Sequence, residues 1–283
     1  MAPGQAQTTS DEDLRRAVEA TVTRYQLLGV EGIIDDLACF AIDRDRPQVY
    51  DANHVRAPRA ASPTEIGELL ARIAEVYDGH DGYDHHEVAC DLDTPDAFEA
   101  RLCLDGWQLD TTLQQLLSGP LLFDGSPGPP GLAMRPATSD VDWQSMTTLT
   151  RINHLESSRT FARESWSLEL TESMVEHRRL KAPEMQPWMA SLAGIDIGFL
   201  SAMPGENGVG LIDDLFVHPD FRSQGIGLAL LDWCVADART RGAEQVTLSS
   251  RPDDWPRHLY ARLGFRPLFV ERSWERYVET GLE

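Results

Sequence analysis

The stretch "LIDDLFVHPDFRSQGIGLALL", residues 211–231, decides the fold. Residues 211–217 read as a buried strand, a polar turn follows, and a helix runs from Gly225 to Arg241. Ile226, Leu230, Cys234 and Ala238 fall four apart on one face of that helix, and Gly242 supplies its stop. Two features break the pattern. Asp213 and Asp214 interrupt the apolar strand, where burying an ionised carboxylate costs several kcal/mol unless it is paired. In a regular strand the two face opposite sides, so at most one points into a dry core. The helix entrance carries Arg222, Ser223, Gln224, Gly225 and Gly227. A helix N-terminus leaves N–H groups unpaired and bears roughly half a positive charge, and glycines remove the Cβ atoms that would bar an anion. Such an entrance suits a phosphate. A Rossmann turn would need a third glycine, which is absent here, and the arginine precedes the turn.

The rest of the second half falls into place around this unit. Leu132–Pro136 reads as a strand, helices follow from Val141 to about Glu156 and from Thr160 to about Arg179, and "WMASLAG" and "IDIGFLSAM" are strands around a turn. After the helix, "QVTLSS" is a strand, "WPRHLYARLGF" a short helix with Gly264 just past its end, and "RPLFVERSW" a final strand. The order β-α-α-β-β-β-α-β-α-β predicts an α/β (mixed α+β) fold, a mixed sheet with helices on its faces.

Proline and glycine crowd "FDGSPGPPGLA", which places a linker over residues 123–131 between a first half, 1–122, and a second half, 132–283. In the first half Ser62-Pro63-Thr64-Glu65 is a capping box that opens a helix to about Val76. "HHEVACDL" reads as a strand, "PDAFEARLCL" as a helix and "WQLDTTLQQLL" as a strand. The order α-β-α-β repeats that of the chain's end, and "ARLCLDGWQL" aligns with "HLYARLGFRPL" when Gly106-Trp107 is set on Gly264-Phe265. A diverged internal duplication is the expectation. Leu102 then stands where Tyr260 does, and nothing in the first half matches Arg222-x-x-Gly225-x-Gly227.

Composition excludes several classes. A net charge of −21 speaks against nucleic acid as a partner, because phosphate contacts need basic surface. It permits cationic small molecules. No apolar run approaches the ~18 residues of a membrane span, and the N-terminus has no signal-peptide pattern, so a cytoplasmic protein is expected. Cys39, Cys90, Cys103 and Cys234 are scattered in apolar contexts, which predicts reduced, buried thiols and no zinc site.

With these parts in hand, "VHPDFRSQGIG" resembles the acyl-CoA pyrophosphate-binding motif R/Q-x-x-G-x-G/A of the GCN5-related N-acetyltransferase (GNAT) superfamily. The strand before it, the apolar helix after it and the downstream "LYARLGF" agree with that family in order and spacing over residues 132–275. The resemblance implies a GNAT-like, mostly antiparallel sheet preceded by a smaller α/β domain of similar type, a degenerate copy in a tandem arrangement. It implies acetyl-CoA (coenzyme A) as co-substrate and no metal. By resemblance, Leu215, Phe216 and Val217 run beside the pantetheine arm, with the Val217 N–H as oxyanion donor, and Ser223, Gln224, Gly225, Ile226, Gly227 and Leu228 with Arg222 hold the pyrophosphate. Ser223 replaces a common glycine, and Asp253 and Pro256 replace the usual asparagine and alanine before the tyrosine, so Asp253 is the candidate for the asparagine's contact. The resemblance casts Asp213 first, or Asp214, as base and anchor for an ammonium, and Tyr260 as the acid that protonates the leaving thiolate.

The expected activity is direct acyl transfer from acetyl-CoA to a primary amine of a small molecule or peptide, by a monomer or homodimer, with neither nucleic acid nor membrane as partner. Two rivals stay open: a non-catalytic acyl-CoA sensor, and an interaction module in the first half. "HDGYDHHE", residues 80–87, holds metal-ligand types in no standard zinc spacing and reads as a polar loop or strand edge. His54 and His218 read as surface residues. Trp143, Trp166, Trp188 and Trp255 line an acceptor cleft or fill the core.

Overall fold

A computed structural model describes residues 10–78, 83, 85–124, 128–160, 166–205 and 207–277. The first half is α1 (Asp11–Gln26), β1 (Glu31–Ile34), β2 (Cys39–Ile42), β3 (His54–Arg56), α2 (Pro63–Tyr77), β4 (His85–Cys90), α3 (Asp96–Leu104) and β5 (Gln108–Leu117). The second is β6 (Leu132–Pro136), α4 (Asp140–Thr160), α5 (Leu168–Lys181), β7 (Gln186–Leu192), β8 (Ile195–Met203), β9 (Val209–Val217), α6 (Ile226–Thr240), β10 (Gln245–Ser250), α7 (Pro256–Arg262) and β11 (Arg266–Tyr277). The second half has the expected order throughout. The first half has more than expected: α1 and β1–β3 precede or flank the elements read from sequence. The start of the helix expected from Thr160 lies partly outside the described residues, as do His80, Asp81 and Asp84 of the histidine-rich stretch.

All eleven strands form one sheet, ordered β1-β2-β3-β4-β11-β5-β10-β9-β8-β7-β6. Among the described residues only β3–β4 and β9–β10 pair in parallel; the other ladders are antiparallel. The last strand of each half crosses into the other: β5 pairs with β10, and β11 pairs with β4. The expected smaller domain is therefore not a separate sheet. Outward from the central β11–β5 pair the order matches on both sides, with β4 facing β10 in rank, β3 facing β9, β2 facing β8 and β1 facing β7. The helices preceding the exchanged strands also end alike. Gly106 and Gly264 both take positive φ, Trp107 N–H donates to the Leu102 carbonyl at 3.1 Å, and Phe265 N–H to the Tyr260 carbonyl at 3.0 Å. This is the six-to-one closure of a Schellman turn, which glycine permits.

Apolar periodicity seats the helices. Ile226, Leu230, Cys234 and Ala238 of α6 bury against Leu200, Ala202, Ile212 and Val246 on one face. Trp143, Met146 and Leu149 of α4 with Val175 of α5 bury against Met189, Phe199 and Phe216 on the other. On that second face Val18, Val22 and Tyr25 of α1 pack on Val209, Leu211 and Leu116. A first-half helix thus covers second-half strands. Ser10 and Asp13 form a capping box at its start, as Ser62 and Glu65 do for α2.

Three sequence expectations change. Cys103 is exposed on α3 and Cys39 half-buried, although all four thiols are free; α3 has little amphipathic bias and turns that position outward. His54 is buried, because β3 is an interior strand. His85 and His86 are also buried, since β4 lies between β3 and β11 rather than at an edge. Among the described residues no helix is long and apolar enough to cross a membrane.

Candidate functional site

The sheet opens between β9 and β10. Their ladder covers only Val209–Leu211 against Gln245–Thr247; beyond it β10 pairs with β5 alone, and β9 from Ile212 to Val217 pairs only with β8. His218 N–H donates to the Ile197 carbonyl at 2.8 Å. In an antiparallel ladder hydrogen-bonded and non-bonded pairs alternate, so the Val217 N–H and C=O turn away from β8 into the opening. The Val217 carbonyl there accepts from Arg222 Nε at 2.9 Å.

Within β9 the register slips by one residue between Ser201↔Asp213 and Phe199↔Phe216. Asp214 takes φ 68°, the left-handed conformation of a bulge. This overturns the expectation that the two carboxylates face opposite sides. The extra residue breaks the alternation, and Asp213 and Asp214 line the same two cavities. Arg178 of α5 clamps Asp214 through Nε and Nη2, at 2.7 and 2.8 Å. Asp213 instead accepts a hydrogen bond from Tyr25 Oη at 2.7 Å. Burial and the Asp214 charge raise the Asp213 pKa to about 6, although the Tyr25 hydroxyl and Lys181 oppose the rise. Lys181, the sequence's one lysine, is buried with Nζ 3.7 Å from the Tyr25 ring centre.

Tyr260 of α7, 9% exposed, lines a cavity of about 200 Å³ with Asp213, Asp214, Leu215, Ser250 and Asp254. Burial raises its pKa to about 12, so it stays protonated near neutrality. On the first-half side of the two aspartates lies a second cavity of about 300 Å³, and Asp51 and Asp110 join it to an open cleft of about 930 Å³. Trp166 lines that cleft. Trp143 is core, Trp188 packs edge-on against Trp233, and Trp255 is exposed. Another groove, about 580 Å³ along α1, is flanked by the ion pairs Arg16–Asp93 and Arg59–Asp91 and lies away from the opening.

At the mouth of α6, Ser223 and Gly225 both take positive φ, and Gly225 caps the helix without a side-chain hydrogen bond. The first-turn N–H groups are left for a guest, and successive residues of this kind form an anion-binding nest. No acidic residue occupies the first turn. Ser223, Gln224 and Gly225 are exposed, while Ile226 is buried and Gly227 and Leu228 are half-buried. A Cβ on Gly227 would meet only Val217 Cγ2 at 3.7 Å. Gly225 is not open in the same way: its Cβ would lie 3.0 Å from the Gly128 backbone of the linker. Arg222 forks onto Glu156 at 2.5 and 2.6 Å. Asp253 stands on an exposed turn 3.5 Å from Arg251, outside the lining of the Tyr260 cavity. Among the described residues no group of three or more His, Cys, Asp or Glu could hold a metal.

Sequence reasoning missed Tyr25, Arg178 and Lys181. The first lies on a helix that was not read. The other two sit on one whose apolar face is weak.

The chain resembles an uncharacterized N-acetyltransferase of Methanocaldococcus jannaschii at 38% identity over 69 residues, 24% of this chain and 30% of that protein. The matched part thus spans less than a third of the relative. A GCN5-related N-acetyltransferase from Kribbella flavida shares the fold at 14% identity and a TM-score of 0.63, with 98% of each chain covered. A conserved protein of unknown function from Staphylococcus epidermidis gives 0.63 at 12% identity, covering 87% of this chain and 94% of that one. A tandem GNAT protein from the clavulanic acid biosynthesis pathway gives 0.55 at 18% identity, covering 79% and 75%. The sequence model of the Acetyltransferase (GNAT) family matches residues 149–265, the span that runs from α4 through the bulged strand and the nest to Phe265.

Proposed function

We propose that the chain is an acyl-CoA-dependent N-acyltransferase that moves acetyl from acetyl-CoA to a primary amine by direct transfer. One observation carries the reading: Asp213 and Tyr260 line one cavity at the point where β9 and β10 part. The residues present suit the co-substrate. The β9 edge from Ile212 to Val217, unpaired toward β10, offers backbone groups to an extended amide-bearing arm, and the Ser223–Leu228 nest offers N–H groups to a pyrophosphate. When bound, acetyl-CoA supplies the acyl group as an activated thioester.

Asp213 holds the acceptor ammonium and takes its proton toward water. An ordinary aspartate lies about 6 units below an alkyl ammonium, and a carboxyl near 6 narrows the gap to about 4. The amine nitrogen then forms the C–N bond as the C–S bond breaks, and it gives up its second proton through Asp213 and water to become the amide nitrogen. The Val217 N–H supplies a donor for the carbonyl oxygen. Tyr260 gives its proton to the departing sulfur. Asp214, paired with Arg178, positions the bulge and stays ionised, which leaves Asp213 as the proton acceptor. The first half is a diverged copy of the same unit whose corresponding helix has Leu102 for the tyrosine, and it binds no acyl-CoA of its own.

The test is thiol release from acetyl-CoA across an amine library. Tyr260→Phe should lower kcat by about 10²- to 10⁴-fold with its best amine and leave acetyl-CoA affinity unchanged. Full kcat in the variant would refute the acid role. Absence of turnover with every amine, alongside tight acetyl-CoA binding, would favour a sensor.

A further inference from the structure

The cavity beyond Asp213 gathers more carboxyl groups than a single ammonium requires. Asp51, Glu87, Asp110, Asp213, Asp214 and Glu271 line one space of about 300 Å³. Two have guanidinium partners: Asp214 has Arg178, and Glu271 has Arg56 at 2.5 Å. Lys181 lies near Asp51 and Asp213, and Arg251 is 4.0 Å from Asp110. Among the described residues Glu87 makes no ion pair, although Arg56, already paired with Glu271, lies near enough to oppose the rise of its pKa. It stands directly opposite Glu275 in the β4–β11 register, where like charges destabilise a sheet. Burial first, and then Asp51 and Glu275, raise the Glu87 pKa to about 8. A stability role would not call for this pairing.

An independent feature calls for a donor. Gln114 of β5 is 2% exposed and lines the same cavity. Its Nε2 donates to Glu271 at 2.9 Å, which leaves Oε1 as the acceptor end, and among the described residues Oε1 has no partner. A buried carbonyl oxygen without a donor is costly, so the place is built for a ligand N–H. Asp110, Thr112 and Gln114 alternate along β5 and share its cavity face with Glu271 and Ser273 of β11 and Glu87 of β4. These are the strands exchanged between the halves.

We propose that the acceptor is a linear polyamine, with its reacting amine at Asp213, an inner N–H given to Gln114 and a second ammonium held farther along the sheet by Asp110 and Glu87. The reacting end rests on the acyl-transfer reading; the second ammonium does not. β5 lies two strand intervals from β9, and β4 lies four, so the two nitrogens are ~10 Å or more apart.

Calorimetry on the full chain without acetyl-CoA tests the second site by itself, using octane-1,8-diamine and octylamine as probes. The diamine should bind about tenfold more tightly or better, and Glu87→Gln and Asp110→Asn should each shrink that ratio toward one. Equal affinity for the two probes in the parent overturns the proposal, as does a preference that both variants keep. Circular dichroism confirms that each variant is folded. Thiol release with the same probes then reports on acyl transfer. Diamine preference without turnover would sink the enzyme reading and leave the polyamine site standing. Turnover of octylamine as efficient as that of the diamine would do the reverse.

Discussion

Asp213 links stability to function at a single position. Its folded-state pKa of about 6 lies above the ordinary value of 3.8, so the folded chain binds this proton more tightly than the unfolded chain does. The resulting stabilisation is complete below about pH 4 and is lost as the pH rises through about 6. Above that, the charged form is the costly one, by up to about 3 kcal/mol at 1.36 kcal/mol per unit. Asp213→Asn can still accept from Tyr25 but cannot ionise. It should raise Tm relative to the parent at pH 8 and gain little at pH 5, while acyl transfer to amines falls; an equal Tm difference at both values would contradict the shift. Tyr25→Phe acts in the opposite sense on the same carboxyl. Because the Tyr25 hydroxyl hydrogen bond lowers the Asp213 pKa, its loss should move the acidic limb of the kcat/KM profile to higher pH. Asp214, Asp51, Lys181 and Arg178, charges that face Asp213, are unchanged by either substitution. An unmoved limb would mean that another group sets it.

At the scale of elements, the α6 entrance was legible because glycine and arginine placement is a local signal, and so were the strand before it and every element of the second half. The bulge at Asp214 was not. Asp-Asp in an apolar run specifies two charges, but which way they turn depends on the register with β8 and on Arg178 reaching over from α5. The linker's approach to Gly225 is likewise a tertiary contact, and it changes which substitution reports on the nest. Valine at 225 would strain a positive φ and meet the Gly128 backbone, so loss of binding there would be ambiguous. Gly227→Val places its bulk at the same mouth with only an ordinary contact to Val217. Acetyl-CoA affinity should fall by about 10-fold or more with Tm near that of the parent; calorimetry showing parental affinity would remove the nest from the cofactor site. Glu156→Gln should act in the other direction. It frees Arg222 from a half-exposed ion pair worth about 0.2–1 kcal/mol, so affinity should rise by no more than about fivefold.

For the molecule as a whole, the Pro/Gly-rich linker divides the sequence into two halves, and strands of both halves join in one sheet. The turns Gly106-Trp107 and Gly264-Phe265 were visible as an echo in sequence. That the strands after them change sides was not, because β5 and β11 have the same apolar pattern whichever half they join. Removing residues 1–122 would take β5 out from between β10 and β11 and leave β10 an open edge at the floor of the site. It would also strip α1 from Val209 and Leu211 and take Tyr25 from Asp213. The fragment 132–283 alone should therefore be aggregated or poorly folded, despite containing every residue of the nest and both proposed catalytic groups. The two halves produced as separate chains in one cell should recover a folded complex, since the exchanged strands carry ladders on both sides. Size-exclusion chromatography and circular dichroism of the fragment and of the co-produced halves check this. A monomeric, cooperatively melting fragment 132–283 that binds acetyl-CoA like the full chain would show that the exchange is dispensable.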